Sequence, residues 1–391
     1  MKIAKIETYL YWPGAAKNLL FCRVETTDGV YGWGESYVSK GKEKIVKMYI
    51  ESMAEQLIGL SVFDIRHMGT ALFDDYQIRR SAVDFYSGWS AIEIALWDIV
   101  GKITGQPVYN LLGGKYREAV RLYANGWWFG CKNTDETVAA AMKVKEMGFT
   151  ALKWDPFYKP WRYYITQKDE DDAVENVKAM REALGPDMDL LIEVHRRLSP
   201  YHAIRFANRI AEFRPFVYEE PCLADNIDLV AEAKRNIPFL RVVTGETCYT
   251  KAEIKTVLEK RAADVINPDT CVCSGILGMM EMASMADPYN ICFSPHNYNS
   301  SIVGLAATVH LSAMAPNFNI AELFINLKPG CDLIDLKPIK IDHGFAELPT
   351  DPGLGIDIDL EELKKHPYNP LGGAPIAKIE QEYPRKADFL F

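Results

Sequence analysis

The chain has 391 residues, 48% of them hydrophobic and 25% charged, with a formal net charge of −9 and a pI near 5.4. That length exceeds one ordinary core and predicts two domains, and the acidic balance excludes a nucleic-acid or anionic-membrane partner, because no basic stripe is available to neutralise phosphates. It does not exclude a small anionic substrate, since local lysines and a bound metal can reverse the sign inside one pocket.

From the N-terminus, MKIAKIETYLYW lacks the apolar core and cleavage site of a secretory signal. Two β-like runs, NLLFCRVETT and VYGWGE, flank Asp28-Gly29 and predict a hairpin. Between Gly41 and Lys102 the period becomes helical and ends in the apolar SAIEIALWDIVGK, Ser90 to Lys102, before Gly113-Gly114. Residues 1–118 therefore read as a small α+β domain. From Arg121 strands and helices alternate. Eight strand candidates begin at Arg121, Thr150, Leu190, Phe216, Leu240, Asp264, Ile291 and Asn319, which predicts parallel βαβ units closed into a barrel over residues 119–338. The turn-rich tail, 339–391, is expected to return to the N-terminal domain. No apolar run approaches the roughly 18–20 residues that cross a bilayer. The eight cysteines form neither a dense disulfide framework nor a paired CxxC zinc pattern, so a cytoplasmic setting is expected.

Six polar residues recur one βα unit apart: Glu193, Glu219, Glu246, Asp269, His296 and Glu322, at intervals of 26, 27, 23, 27 and 26. Each closes an apolar run, and in a closed parallel barrel the C-terminal strand ends ring a single opening. Three carboxylates, Glu193, Glu219 and Glu246, on adjacent strand ends repel unless a cation sits between them, and oxygen-only ligation favours Mg²⁺, with Mn²⁺ as a substitute, over zinc. The alternative, three structural ion-pair partners, fits the barrel spacing less well. His195 lies two residues past Glu193 and, on a continuing strand, shares its face; it is a candidate for acid/base work or, alternatively, a metal ligand. Asp269 is placed to hold one ring nitrogen of His296 and leave the other to exchange a proton. Lys153 and Asp155 share a face after the run TAL, where lysine can hold a substrate carboxylate, and Glu322, if neutral, can donate to its second oxygen. His67, His202, His310, His343 and His366 read as structural, the methionines 279, 280, 282 and 285 as core, and Cys271, Cys273 and Gly275 as a turn into a helix.

These residues in this order resemble the enolase superfamily, and within it the mandelate racemase subgroup. The likeness runs through GWGE, SAIEIALWDIVGK, PVYNLLGGK, ALKWDPF, IEVHRR, YEEP, GE, INPD, SPH, AEL and DPGLGI. The pairing of ALKWDPF with IEVH is most similar to the aldonate dehydratases of the galactonate and gluconate type. The resemblance implies an α/β fold, a modified (β/α)7β TIM-type barrel with an α+β capping domain, and Mg²⁺ on Glu193, Glu219 and Glu246. It further implies His296 with Asp269 as the base, His195 as the acid for hydroxide departure, and a homo-oligomer, octamer or dimer; Lys153, Asp155 and Glu322 are expected from their own positions to bind substrate. The expected reaction removes the C2 proton of a sugar acid and eliminates the C3 hydroxyl, giving a 2-keto-3-deoxy acid. Epimerisation, cycloisomerisation or sugar-diacid dehydration on the same scaffold are alternatives, and a non-catalytic sugar-acid binding protein is another.

Three positions depart from the pattern. Many relatives have Asp at the Glu193 position, racemase-type members have a second lysine where Asp155 stands, and the usual dehydratase has Gly where Arg196 follows His195. The loops Trp12 to Lys17 and Tyr37 to Gly41 and the turn at Arg79-Arg80 are candidates for reading the far end of the substrate. Trp161, Tyr163 and Tyr164 are candidates for closing the mouth or meeting another subunit.

Overall fold

The computed structural model describes residues 1–77, 83–157, 165–298 and 300–372. The expectations placed on Arg79-Arg80 and on Trp161, Tyr163 and Tyr164 lie outside the described residues. Three antiparallel strands open the chain: β1 (Ile3–Tyr11), β2 (Leu19–Thr26) and β3 (Tyr31–Ser36). Gly29, at φ +80°, makes the turn between β2 and β3. Helix Val83–Thr104 is apolar around most of its circumference because it is covered on both sides. It lies directly on β3, where Gly32 and Gly34 allow the approach. A Cβ on Gly34 would come within 1.7 Å of the Ala91 carbonyl oxygen, so no larger residue fits without moving the helix.

The barrel strands are β4 (Ala119–Asn125), β5 (Ala151–Trp154), β6 (Asp189–Glu193), β7 (Val217–Glu219), β8 (Val242–Thr244), β9 (Val265–Ile266), β10 (Cys292–Phe293) and β11 (Ala321–Phe324). They pair in parallel from β4 through β10, and β11 pairs with β4. The remaining seam is joined by Phe293 N–H to the Asn317 carbonyl and Asn319 N–H to the Phe293 carbonyl, both at 2.9 Å. A helix stands between each successive pair, which is the (β/α)7β arrangement. Along each strand the side chains alternate between two cores. Leu122, Leu152, Ile192, Tyr218, Val242, Ile266 and Leu323 join the core under the helices. Tyr123, Ala151, Leu191, Val217, Val243, Val265 and Ile320 form a separate cluster inside the barrel.

The tail does more than return to the capping domain. It first adds β12 (Ile341–Asp342) and β13 (Phe345–Glu347), with β13 antiparallel to the start of β4. It then crosses to the cap, where Leu354 N–H donates to Asp98 Oδ1 at 2.8 Å and Trp33 Nε1–H to Asp357 Oδ1 at 3.0 Å. Among the described residues, no helix is long and apolar enough to cross a membrane.

Candidate active site

Two residues beyond each member of the inner apolar cluster, at the C-terminal end of the barrel, stands the next inward layer: Asn125, Lys153, Glu193, Glu219, Gly245, Asn267 and Glu322. The period of two therefore converts seven apolar strand positions into one polar layer above them. Gly245 leaves room in that layer, and Glu246 follows it in the turn after β8.

Oxygen atoms of Glu193, Glu219 and Glu246 lie within 4.8 Å of one another. Lys153, 1% exposed, points its ammonium into this layer, 2.7 Å from Glu219 Oε1, 3.2 Å from Glu322 Oε1 and 3.5 Å from Glu193 Oε2, and 5.1 Å from the Tyr123 ring centre. Asn267 Nδ2–H also donates to Glu219 Oε1 at 3.0 Å. Burial, opposed by Lys153 but reinforced by Glu193 and Glu246, pushes the Glu219 carboxyl well above the usual carboxylate range. Lys153, and Arg196 on Glu246, set two cations against three clustered carboxylates. An all-oxygen donor set with excess negative charge is the chemistry that a hard divalent cation satisfies, so the residues fit such an ion.

His296 Nδ1–H donates to Asp269 Oδ2 at 2.8 Å, which turns Nε2 toward Glu246 Oε2 at 3.3 Å and Glu322 Oε2 at 3.5 Å. Asp269 is itself held by the Cys271 N–H at 2.8 Å. Burial disfavours the charged ring, but Glu322, Glu246 and Asp269 outweigh it and raise His296 to about 9.

His195 does not sit on a continuing strand. β6 stops at Glu193, and His195 and Arg196 both adopt left-handed backbone, φ +51° and +62°. His195 nevertheless faces the same cavity, about 260 Å³, as Lys153, Glu193, Glu246 and His296. Its Nδ1–H donates to Asp155 Oδ2 at 2.9 Å, and the same oxygen accepts from Arg197. Burial opposes protonation of His195, while Glu193, Asp155 and Glu246 raise its affinity for a proton. Asp155, expected to meet substrate, is instead committed to His195, Arg197 and the Phe157 N–H.

Glu322 also differs from its expected state as a neutral donor. It is fully buried, accepts from Asn125 Nδ2–H at 2.7 Å and Asn297 N–H at 2.9 Å, and is held low by Lys153 and His296 against the opposing effect of burial. It is acceptor-only, steadying Lys153 and facing His296.

Several residues escaped the sequence reading. Asn125, Trp128, Phe129 and Tyr298 line the cavity beside Tyr37 and Arg196, which the sequence had marked only as part of a substrate-reading loop and as a departure from the pattern; Arg196 binds Glu246. Asn125 and Asn267 had a signal, since each lies in the strand-end register, but Asn is polar without being titratable. Arg196 stood out only as a departure from the usual glycine, and its direction depends on a left-handed backbone that spacing does not report.

The enolase C-terminal domain-like family model matches residues 136–363, and the N-terminal domain model of mandelate racemase/muconate lactonizing enzyme matches residues 15–113. The chain belongs to the mandelate racemase subgroup of the enolase superfamily. Its relatives in this subgroup include the D-gluconate dehydratase of Thermoproteus tenax, 32% identical over 93% of this chain and 72% of that protein. The D-galactonate dehydratase of Xanthomonas euvesicatoria pv. vesicatoria is 31% identical over 95% of each chain. Among solved structures, the mandelate racemase/muconate lactonizing enzyme from Sulfitobacter sp superposes with a TM-score of 0.88 at 30% identity, covering 96% of this chain and 99% of that one.

Proposed function

We propose that this protein is a divalent-metal-dependent aldonate dehydratase that converts a sugar acid to its 2-keto-3-deoxy acid. The observation that carries the reading is the pair of carboxylate-held imidazoles, His195 and His296, facing one cavity beside the carboxylate trio and Lys153. The names of the relatives, gluconate and galactonate dehydratase, support the substrate class.

A proton next to a carboxylate is only weakly acidic, so its removal requires positive charge preorganised around the enediolate that forms. Glu193, Glu219 and Glu246 would hold Mg²⁺, which would supply that charge when bound. Lys153 binds the substrate carboxylate from the barrel interior. His296 Nε2 takes the C2 proton, with Asp269 fixing the ring. His195 Nε2–H gives its proton to the C3 hydroxyl, which leaves as water, and Asp155 stabilises the imidazole through the transfer. The resulting enol takes a proton at C3 and becomes the 2-keto acid. A magnesium site with a histidine base is a general feature of enolase-superfamily chemistry.

A second imidazole backed by a carboxylate favours one other reading, return of a proton to C2 to give the epimer. Screening a sugar-acid library with semicarbazide, with and without Mg²⁺, separates the two. The dehydratase reading predicts a 2-keto product from at least one aldonate only with Mg²⁺; an epimer with no keto product contradicts it.

A further inference from the structure

Lys17 is a lysine with no ordinary reason to be buried. It precedes β2 in the capping domain and is 7% exposed, and the nearby Asp269, Glu35 and Glu43 act on its ammonium through space and not through a side-chain hydrogen bond. Instead it lies over two rings, 4.1 Å from the centre of Tyr37 and 5.3 Å from that of Tyr298. Both tyrosines line the active-site cavity. Tyr298 lies nearly parallel to His296, 19° between planes and 6.0 Å between centres, and its edge meets Phe324 at 4.8 Å. Tyr37 N–H donates to the Cys271 carbonyl at 3.0 Å, and Cys271 N–H holds Asp269. Contacts from the capping domain thus reach both members of the His296–Asp269 pair.

Desolvating an ammonium is costly, and a methionine would fill a similar volume without that cost. The ring faces recover part of the cost as a cation–π contact, which acts only while the rings keep their orientation. Burial lowers Lys17 to about 8, opposed by Asp269, Glu35, Cys271 and Glu43, the charged or titratable groups around it. The compensation is arranged around the rings and the base pair, not around a salt bridge.

Resting on the dehydratase reading, we propose that Lys17 is a positioning residue for the base: seated from the capping domain against Tyr37 and Tyr298, it holds Tyr298 flat against the His296 imidazole. Abstraction of the C2 proton then depends on the cap being docked, because the ring that steadies the base is itself steadied from the cap.

The test compares the full-length protein with its Lys17→Met, Lys17→Arg and Tyr298→Leu variants, with Mg²⁺ and the best aldonate from the library. Lys17→Met is expected to lower kcat and the rate of C2 proton exchange in deuterium oxide together, by about tenfold to a hundredfold, with KM within about threefold. Lys17→Arg should restore most of the loss, since it keeps the cation over the rings. Tyr298→Leu should reproduce it, and should serve alone if Lys17→Met does not fold. Unchanged exchange in Lys17→Met or Tyr298→Leu, or a change in KM alone, overturns the proposal. A crystal structure of Lys17→Met provides an arm independent of substrate: the Tyr298 ring is expected to leave the His296 plane, and retention of the near-parallel stack overturns the proposal. If the wild-type protein dehydrates no aldonate, the functional reading fails while the ring geometry still decides the role of Lys17.

Discussion

At Asp155 one carboxylate oxygen meets both the His195 imidazole and the Arg197 guanidinium. Replacing the charge with an amide should leave the ring in place but remove the stabilisation of its protonated form. Asp155→Asn is expected to lower dehydration by about 10² to 10⁴-fold, the usual size of an acid–base contribution and, at its upper end, of a catalytic histidine's aspartate changed to asparagine. Exchange of the C2 proton in deuterium oxide should survive, because His296 and Asp269 are untouched; equal loss of both rates would remove His195 from the role of acid. Lys153, Glu193, Glu219 and Glu322 were legible as one inward-facing layer because each falls in the inward register of a barrel strand. The partner of Asp155 was not. Sequence spacing assumed a strand continuing through His195, whereas left-handed backbone at His195 and Arg196 redirects the next side chains, and no periodicity reports that.

Among the elements, the alternation of side chains along the barrel strands accounts for most of what could be read in advance. Each apolar residue inside the barrel except Val243, which is followed by Gly245, announces a polar one two positions later. The docking of the cap on the barrel was not legible, since it relies on single buried acids distant in sequence from the helices they cap. Glu35, at the end of GWGE, accepts from the Ser301 and Gly304 N–H groups at 2.8 and 2.9 Å, and so caps helix Ile302–Met314, which follows the His296 loop. This acid at a helix N-terminus is favoured by the amides that have no partner within the helix and by the helix dipole. Glu35→Ala leaves those buried donors unpaired, and should lower unfolding free energy by about 2 kcal/mol or more, read as a shift in the urea midpoint at constant slope. A midpoint within error of wild type would show the cap to be held by other contacts.

Across the whole molecule, His310 joins three parts of the chain. Its Nδ1 accepts from the Tyr109 N–H at 3.2 Å, next to the cap, and its Nε2–H donates to the Leu354 carbonyl at 3.1 Å in the tail. The bond from Tyr109 needs the neutral ring, and burial pushes the imidazole down from its ordinary 6.5 to about 4, against the bond to Leu354, which the charged ring would also make. Between those values the unfolded chain holds more protons at this residue than the folded one. Its contribution to stability is therefore present above about pH 6.5 and is lost as pH falls toward 4, at a slope of up to about 1.4 kcal/mol per pH unit. Urea midpoints measured across that window should show a steeper acid loss in wild type than in His310→Gln. Equal slopes would mean that His310 is not held neutral. The two-part architecture itself was readable from the change of period at Gly113-Gly114, while the attachment of β13 to β4 was hidden, because a three-residue strand carries no periodicity of its own. The central claim, proton abstraction at C2 followed by loss of the C3 hydroxyl, is tested most directly by proton NMR of the aldonate reaction in deuterium oxide with Mg²⁺. The account predicts a 2-keto-3-deoxy product bearing solvent deuterium at C3 with the wild-type protein, and neither product nor C2 exchange with His296→Asn. Normal dehydration by His296→Asn would contradict it.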